Sequence, residues 1–215
     1  DWSSDVCSSD LALGYRFFSE GDTEVILKAY HAWGEDCVAR MNGMFAFALW
    51  DTRTRRLFLA RDRLGIKPLY WSRDGARFRF ASSLPALLAA GGVDTAIDPV
   101  ALHHHLSLHA VVPAPRTLLM GVRKLAPGHV MTLAAAGGET TRPYWHLAAQ
   151  RPAEPLDERA WIARVRRELL AAVERQQTAA DVPVGVLLSG GLDSSLLVGL
   201  LDELGHKDLL TFSIG

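Results

Sequence analysis

Val184-Gly185-Val186-Leu187-Leu188-Ser189-Gly190-Gly191-Leu192-Asp193-Ser194-Ser195 decides how this 215-residue chain is read. The uncharged residues 184–188 predict a strand buried on both faces, the two glycines a turn, and the apolar run from Leu192 to Leu204 a helix. Such a passage delivers the chain to a helix N-terminus, whose first N–H groups have no partner inside the helix and therefore suit an anion. Gly190 and Gly191 can take positive φ and let the backbone approach a phosphate, while Ser189 and Ser194 offer hydroxyl donors. The carboxylate of Asp193 fits beside a phosphate only if it caps the helix, meets the ligand's positive end or holds a magnesium ion.

Residues 209–214, Leu-Leu-Thr-Phe-Ser-Ile, read as a further strand. Strand, helix and strand in this order predict a right-handed crossover and a parallel doubly wound sheet, with a nucleotide at the carboxyl ends of its strands. A single crossover leaves strand edges exposed, so the chain is expected to stop at Gly215 part-way through this second domain. No lysine follows the glycines, as a Gly-x4-Gly-Lys-Ser/Thr loop requires, and there is no Gly-x-Gly-x-x-Gly. Ser-Gly-Gly-Leu-Asp-Ser-Ser instead resembles the pyrophosphate loop of the N-type ATP pyrophosphatases, which adenylate a carboxylate or carbonyl and release pyrophosphate.

Composition sets wide limits. The chain is 49% hydrophobic and 22% charged with a net charge of −1, a globular make-up with no overall pull toward nucleic acid or an anionic membrane. No apolar run approaches the roughly 18 residues that span a bilayer, and no signal segment opens the chain; the expected place of work is the cytoplasm. Cys7 and Cys37 lie in no Cys-x-x-Cys and near no histidine pair, which argues for ordinary thiols. Residues 1–11 show no periodicity and resemble a translated sequencing adapter, so they are set aside from the fold.

From Gly21 to Gly34 the pattern predicts a helix with Asp22 as its N-cap, an apolar stripe of Val25, Ile26, Ala29, Tyr30 and Trp33, and Gly34 as its end. Residues 44–50 read as a strand, Arg56–Ala60 as its hairpin partner, and Arg77–Ala81 as a half-buried strand with Phe78 and Phe80 inward. Short helices follow over 82–90 and from Asp98-Pro99. Three adjacent histidines, 103–105, point about 100° apart on that second helix and cannot converge on one metal. Residues 128–133 and 141–145 form a hairpin around Gly137-Gly138. Asp157 caps a long helix with Trp161, Val165, Leu169 and Val173 on one side, and with Arg164, Arg166, Arg167 and Arg175 largely outward as a solvated face.

The segments Gly-Asp-Thr-Glu-Val-Ile (21–26), Asn-Gly-Met-Phe-Ala-Phe-Ala-Leu-Trp-Asp (42–51) and Ala-Arg-Asp-Arg-Leu-Gly-Ile-Lys-Pro-Leu-Tyr (60–70) resemble the later part of a class II glutamine amidotransferase domain. The resemblance implies an α+β N-terminal nucleophile hydrolase-type sandwich, two antiparallel sheets between helices, followed by the start of the α/β ATP pyrophosphatase domain. It implies that Asp22 holds the amino group of substrate glutamine. Arg61, Asp62, Gly65 and Tyr70 match the pattern too and read as architecture, a pair bracing a turn. The family's N-terminal cysteine, an arginine and an Asn-Gly pair are not in this sequence, so about 75 residues of the domain are expected ahead of Leu11.

Amidotransferase followed by pyrophosphatase loop resembles the glutamine-hydrolysing asparagine synthetase family. The implied organisation is 12–148 for the amidotransferase part with its hairpin, 149–156 for a linker and 157–215 for the start of the ATP-binding domain. The implied chemistry is amidation of a carboxylate, aspartate to asparagine, by ammonia from glutamine with ATP and Mg2+. Leu188, Ser189, Gly190, Gly191, Asp193, Ser194 and Ile214 would bind ATP, with Leu188 and Ile214 flanking adenine and ribose unless they are plain sheet core. The stretch Leu-His-His-His-Leu-Ser-Leu-His-Ala-Val-Val-Pro-Ala-Pro-Arg (102–116) also resembles the branch that amidates N-acetylglutaminylglutamine, which keeps a dipeptide acceptor open. A homodimer is left open as well. Two other readings stand beside these: a stand-alone ATP pyrophosphatase, disfavoured by the amidotransferase half and the neutral charge, and a non-catalytic nucleotide-binding fragment. On the last reading the 215 residues alone turn over neither glutamine nor ATP.

Overall fold

The hairpin of β1 (Ala46–Asp51) and β2 (Arg56–Arg61) is shaped at its turn by Asp51, whose carboxylate accepts the Arg53 and Thr54 N–H groups at 2.9 and 3.1 Å. It belongs to a computed structural model that describes residues 14–19, 21–151, 155–178, 180 and 182–213. Two compact units lie within residues 10–148 and 149–215.

The first unit opens with α1 (Asp22–Trp33), which runs into a 3₁₀ helix (Gly34–Ala39). Then follow β1, β2, β3 (Tyr70–Asp74), β4 (Arg77–Ala81), α2 (Leu84–Ala89), α3 (Pro99–Ser107), β5 (Arg123–Lys124), β6 (His129–Ala134) and β7 (Glu139–Pro143). One antiparallel sheet has the order β1-β2-β6-β7 and the other β4-β3-β5. Strand alternation sorts the residues. Leu57, Leu59, Met131 and Leu133 face the second sheet and meet Trp71 and Phe78 from it, with Leu69 and Leu125 closing the core between the layers. Phe58 and Thr132 face the other way. The Tyr30 ring of α1 lies 5.5 Å from Phe58, and the Thr132 hydroxyl donates to Glu35 at 3.0 Å. α2 covers the outer face of β3 and β4 with Leu87 buried. Helix, sheet, sheet, helix is the sandwich that the resemblance implies.

Local chemistry explains the ends of the elements. Asp98 caps α3 by accepting the Val100 and Ala101 N–H groups at 2.9 and 3.1 Å, and Arg116 pairs with its other oxygen. Burial works against that carboxylate, but these donors outweigh it and hold its pKa below the usual value. α1 departs from expectation. Its N-cap is Gly21, without a side-chain bond, and Asp22 is the first helical residue, because the extended backbone falls on Gly21 (φ −92°, ψ 141°). Gly34 ends the helix at φ 60° as read. Phe80 also departs: it shares the inward face with Phe78 but remains 43% exposed, since β4 is a sheet edge. Cys37 is wholly buried, and desolvation pushes its thiol up to about 12, an inert packing residue.

Residues 61–70 cross between the sheets, and the turn is braced from inside. The Arg61 guanidinium donates to the carbonyls of Lys67 (2.8 Å), Leu125 (2.6 Å) and Gly65 (2.7 Å). The Asp62 carboxylate accepts from the N–H groups of Leu64 (3.2 Å), Ile66 (3.0 Å) and Lys67 (2.9 Å). The two side chains work separately, one on carbonyls and one on amides, and form no ion pair with each other among the described residues. Gly65 sits at φ 67° where a Cβ would come 2.8 Å from Pro127 and 3.1 Å from the Arg61 guanidinium, so only glycine fits there.

The second unit holds α4 (Glu158–Thr178), β8 (Gly185–Leu187), α5 (Leu192–Glu203) and β9 (Leu210–Phe212). Asp157 caps α4 by accepting the Ala160 N–H at 2.7 Å. β8 and β9 pair in parallel, Gly185 with Leu210 and Leu187 with Phe212, as strand–helix–strand predicts. All three inner elements are shorter than the sequence suggested. Arg166 is exposed as expected, and at the surface it pairs with Glu203, linking α4 to α5.

Candidate functional site

Ser189, Gly190 and Gly191 follow β8 after Leu188 and lead into α5. Gly190 takes φ 76°, so the chain reverses where an L side chain would be strained. Gly191 is the N-cap of α5 in extended conformation, and no side chain caps the helix, whose first bond is Ser195 N–H to the Gly191 carbonyl at 3.1 Å. The amides of Leu192, Asp193 and Ser194 therefore head the helix without intrahelical partners. The Ser189 and Ser194 hydroxyls lie 3.2 Å apart over this end, and Ser194 also donates to the Gly191 carbonyl at 3.2 Å. The loop is exposed, and Asp193 stands in the first helical turn, where the helix dipole favours a negative charge.

The loop lies at the carboxyl ends of both strands and is anchored there. Leu188 donates its N–H to the Phe212 carbonyl at 2.8 Å, and its own carbonyl accepts the Ser213 hydroxyl at 2.7 Å. Leu188 is half-buried at this edge. A Cβ on Gly185 would meet the Phe212 ring at 2.7 Å and the Leu210 carbonyl at 3.1 Å, so glycine lets the two strands close up beneath the loop. The structure thus brings Leu188, Ser189, Gly190, Gly191, Asp193 and Ser194 together, while Ile214 lies outside the described residues. Ser213 was missed by sequence reasoning. Nothing local marks it, because its role depends on the register of strands about 25 residues apart.

Asp22, the residue the resemblance assigns to glutamine, is exposed in the first turn of α1, and its carboxylate has no hydrogen bond or ion pair among the described residues. Its surroundings are ordered by Glu24. That carboxylate accepts the Phe18 N–H at 3.0 Å, the Ser19 N–H at 2.7 Å and the Ser19 hydroxyl at 2.7 Å, and pairs with Lys28. The Ser19 Oγ also accepts the Gly21 N–H at 3.4 Å. Lys28 donates to the Arg16 carbonyl and lies 4.1 Å from the Phe17 ring centre, and Tyr15 bonds His31. Glu24, Lys28 and His31 share one helix face and lay residues 15–19 along it. The Glu-Lys spacing of four was the available signal for this.

Lys28, then Ser19 and Phe18, hold the Glu24 carboxyl down to about 2. A depressed folded-state pKa gives stability that is complete above the ordinary carboxylate range and is lost as pH falls through the folded value. The melting-temperature gap between the protein and its Glu24→Gln variant is therefore expected to be constant from pH 7 to about 5 and to close between about 4.5 and 2. A gap that widens on acidification would contradict this.

Comparison with known proteins gives the family of the chain. A model of the glutamine amidotransferase domain matches residues 7–145, and a model described as asparagine synthase matches residues 164–215. The chain is 37% identical over 207 residues to asparagine synthetase [glutamine-hydrolyzing] 3 of Bacillus subtilis, covering 94% of this chain and 33% of that protein. It is 37% identical over 204 residues to asparagine synthetase [glutamine-hydrolyzing] 1 of the same organism, covering 95% and 31%. Amidase chry2 of Gibberella zeae is 32% identical over 197 residues, covering 91% and 29%. The glutamine phosphoribosylpyrophosphate amidotransferase of B. subtilis overlaps with a TM-score of 0.45 at 17% identity, covering 98% of this chain and 43% of that one, too loosely to carry an argument. The chain spans about a third of the length of the curated relatives it matches. By the match over residues 7–145 it belongs to the glutamine amidotransferase domain family, in the two-part arrangement of the glutamine-hydrolysing asparagine synthetases.

Proposed function

We propose that the two units serve the glutamine-using and ATP-using halves of a synthetase that converts a carboxylate, aspartate first, into its amide. The observation that carries this is the loop after β8, where two hydroxyls 3.2 Å apart overhang an uncapped helix N-terminus at the ends of parallel strands. Those amides and hydroxyls suit the β- and γ-phosphates, with Leu188 beside the nucleoside and Ile214 assigned there from the resemblance. The acceptor carboxylate attacks the α-phosphorus, the bond to the bridging oxygen breaks, and pyrophosphate leaves with the electron pair. Ammonia then attacks the acyl carbon and AMP departs. An acyl-adenylate is readily hydrolysed, which gives reason to join an ammonia source to it in one protein.

Asp22, exposed and without a partner among the described residues, is assigned the α-amino group of glutamine. For magnesium, no group of three or more metal-ligating side chains occurs among the described residues, and Asp193 is the loop's single carboxylate. That donor set fits an ion bound chiefly by phosphate oxygens, with Asp193 as a protein ligand, and such an ion would neutralise charge on the leaving pyrophosphate. No helix among the described residues is long and apolar enough to cross a membrane, and the reading places the reaction in the cytoplasm, on small molecules.

The test gives the complete gene product carrying these residues ATP, Mg2+, aspartate and glutamine labelled with 15N in its side-chain amide. Labelled asparagine with equal AMP and pyrophosphate is expected. ADP with phosphate would overturn the adenylation chemistry, and amide formed only on an N-acetylated glutamine dipeptide would replace aspartate as acceptor.

A further inference from the structure

We propose that Glu24 is a positioning residue for glutamine, holding the turn from which Asp22 is presented; this rests on the assignment of Asp22 above. Gly21 leads into α1 with no side-chain cap, so something else must fix where the first helical residue points. Glu24 supplies it. Its two oxygens take the Phe18 and Ser19 amides at 3.0 and 2.7 Å and the Ser19 hydroxyl at 2.7 Å, and that hydroxyl oxygen in turn takes the Gly21 N–H at 3.4 Å. Gly21 immediately precedes Asp22, and its carbonyl receives the Glu24 N–H at 3.1 Å. Gly21 is thereby held on both sides, by the Ser19 hydroxyl and by the Glu24 backbone. Lys28, one helical turn further on, pairs with Glu24 and takes the Arg16 carbonyl, so the carboxylate is itself held in place.

A carboxylate that binds an ammonium group must be placed to within a fraction of an ångström, and an exposed one on a loosely held turn samples many positions. Removing the negative charge at Glu24 frees Phe18, Ser19 and Gly21 without touching Asp22. The effect should appear in glutamine binding alone, since ammonia added directly bypasses the glutamine site.

The experiment compares glutamine-dependent with ammonia-dependent amide formation in the complete gene product and in its Glu24→Gln, Ser19→Ala, Asp22→Asn and Asp22→Asn/Glu24→Gln variants. Glu24→Gln is expected to raise KM for glutamine about tenfold, and Ser19→Ala about threefold, with ammonia-dependent rates within twofold of the parent. The double variant should match Asp22→Asn alone, because the positioning acts through Asp22. Equal losses with glutamine and ammonia, or a KM within twofold of the parent for both Glu24→Gln and Ser19→Ala, would overturn the proposal. A KM raised by Glu24→Gln but unchanged by Asp22→Asn would overturn the assignment of Asp22 and the positioning role together.

Discussion

Asp62→Ala is expected to lower the unfolding temperature of the antiparallel unit by about 6–12 °C. Asp62 is 1% exposed, and its carboxylate accepts three amide N–H groups from one turn, at 3.2, 3.0 and 2.9 Å. Truncation leaves those donors facing a void with no replacement acceptor. Charge-assisted bonds are worth about 1.5–3 kcal/mol each and are not additive, so a net loss of about 3 kcal/mol is reasonable. For a chain of this size each kcal/mol shifts the melting temperature by about 2–4 °C. The backbone of the same residue joins distant parts of the sandwich: its N–H donates to Phe45 at 2.8 Å and its carbonyl accepts from Gly128 at 2.9 Å. Loosening the turn therefore loosens the approach of β6 to β2. Asp62→Asn keeps one acceptor oxygen and should lose about half as much. Thermal unfolding followed by circular dichroism decides it: an Asp62→Ala protein melting within 2 °C of the parent would show that the turn is held by Arg61 and the core alone.

Arg61 and Asp62 show how far sequence reaches. That they brace a turn is legible from an Arg-Asp pair before Gly and Pro. That they do so independently, one on three carbonyls and one on three amides, follows only from where Leu125, far along the chain, returns to Arg61. The sheets were legible for a similar reason. Strand alternation puts Leu57 with Leu59 and Met131 with Leu133 on one face of each strand, but only the pairing of β2 with β6 sets the two pairs opposite one another on the same side of the sheet. Asp22 was misread because aspartate at a helix start signals a cap, whereas the extended residue is Gly21 and the organising carboxylate is Glu24, inside the helix. At the phosphate loop the glycines and serines announce themselves. Ser213 does not, because a hydroxyl that meets the Leu188 carbonyl across a strand pair leaves no periodic or compositional trace.

The loop glycines are not equivalent, and ATP affinity should separate them. Gly190 lies at φ 76°, a region costing an L residue about 1–2 kcal/mol and a β-branched one more, with nothing within 4 Å of where its Cβ would stand. With no neighbour to overpack, Gly190→Val relieves its strain by moving the loop instead of unfolding the unit. The Ser189 and Ser194 hydroxyls then lose their 3.2 Å contact, and the amides heading α5 no longer converge with them on one phosphate. Gly191 lies at φ −77°, ordinary for any residue, and a Cβ there would sit 3.4 Å from the Ser189 hydroxyl, plain van der Waals contact. Gly190→Val is expected to weaken ATP binding about a hundredfold, near 3 kcal/mol. Gly190→Ala should fall between, and Gly191→Ala within about twofold of the parent, all with melting temperatures within 2 °C. Equilibrium dialysis with ATP and Mg2+ on the complete gene product reads the order directly. If Gly191→Ala weakens binding more than Gly190→Val, the ligand reaches the loop from the side that Gly191 faces, and the convergence of hydroxyls and helix amides is not what holds it.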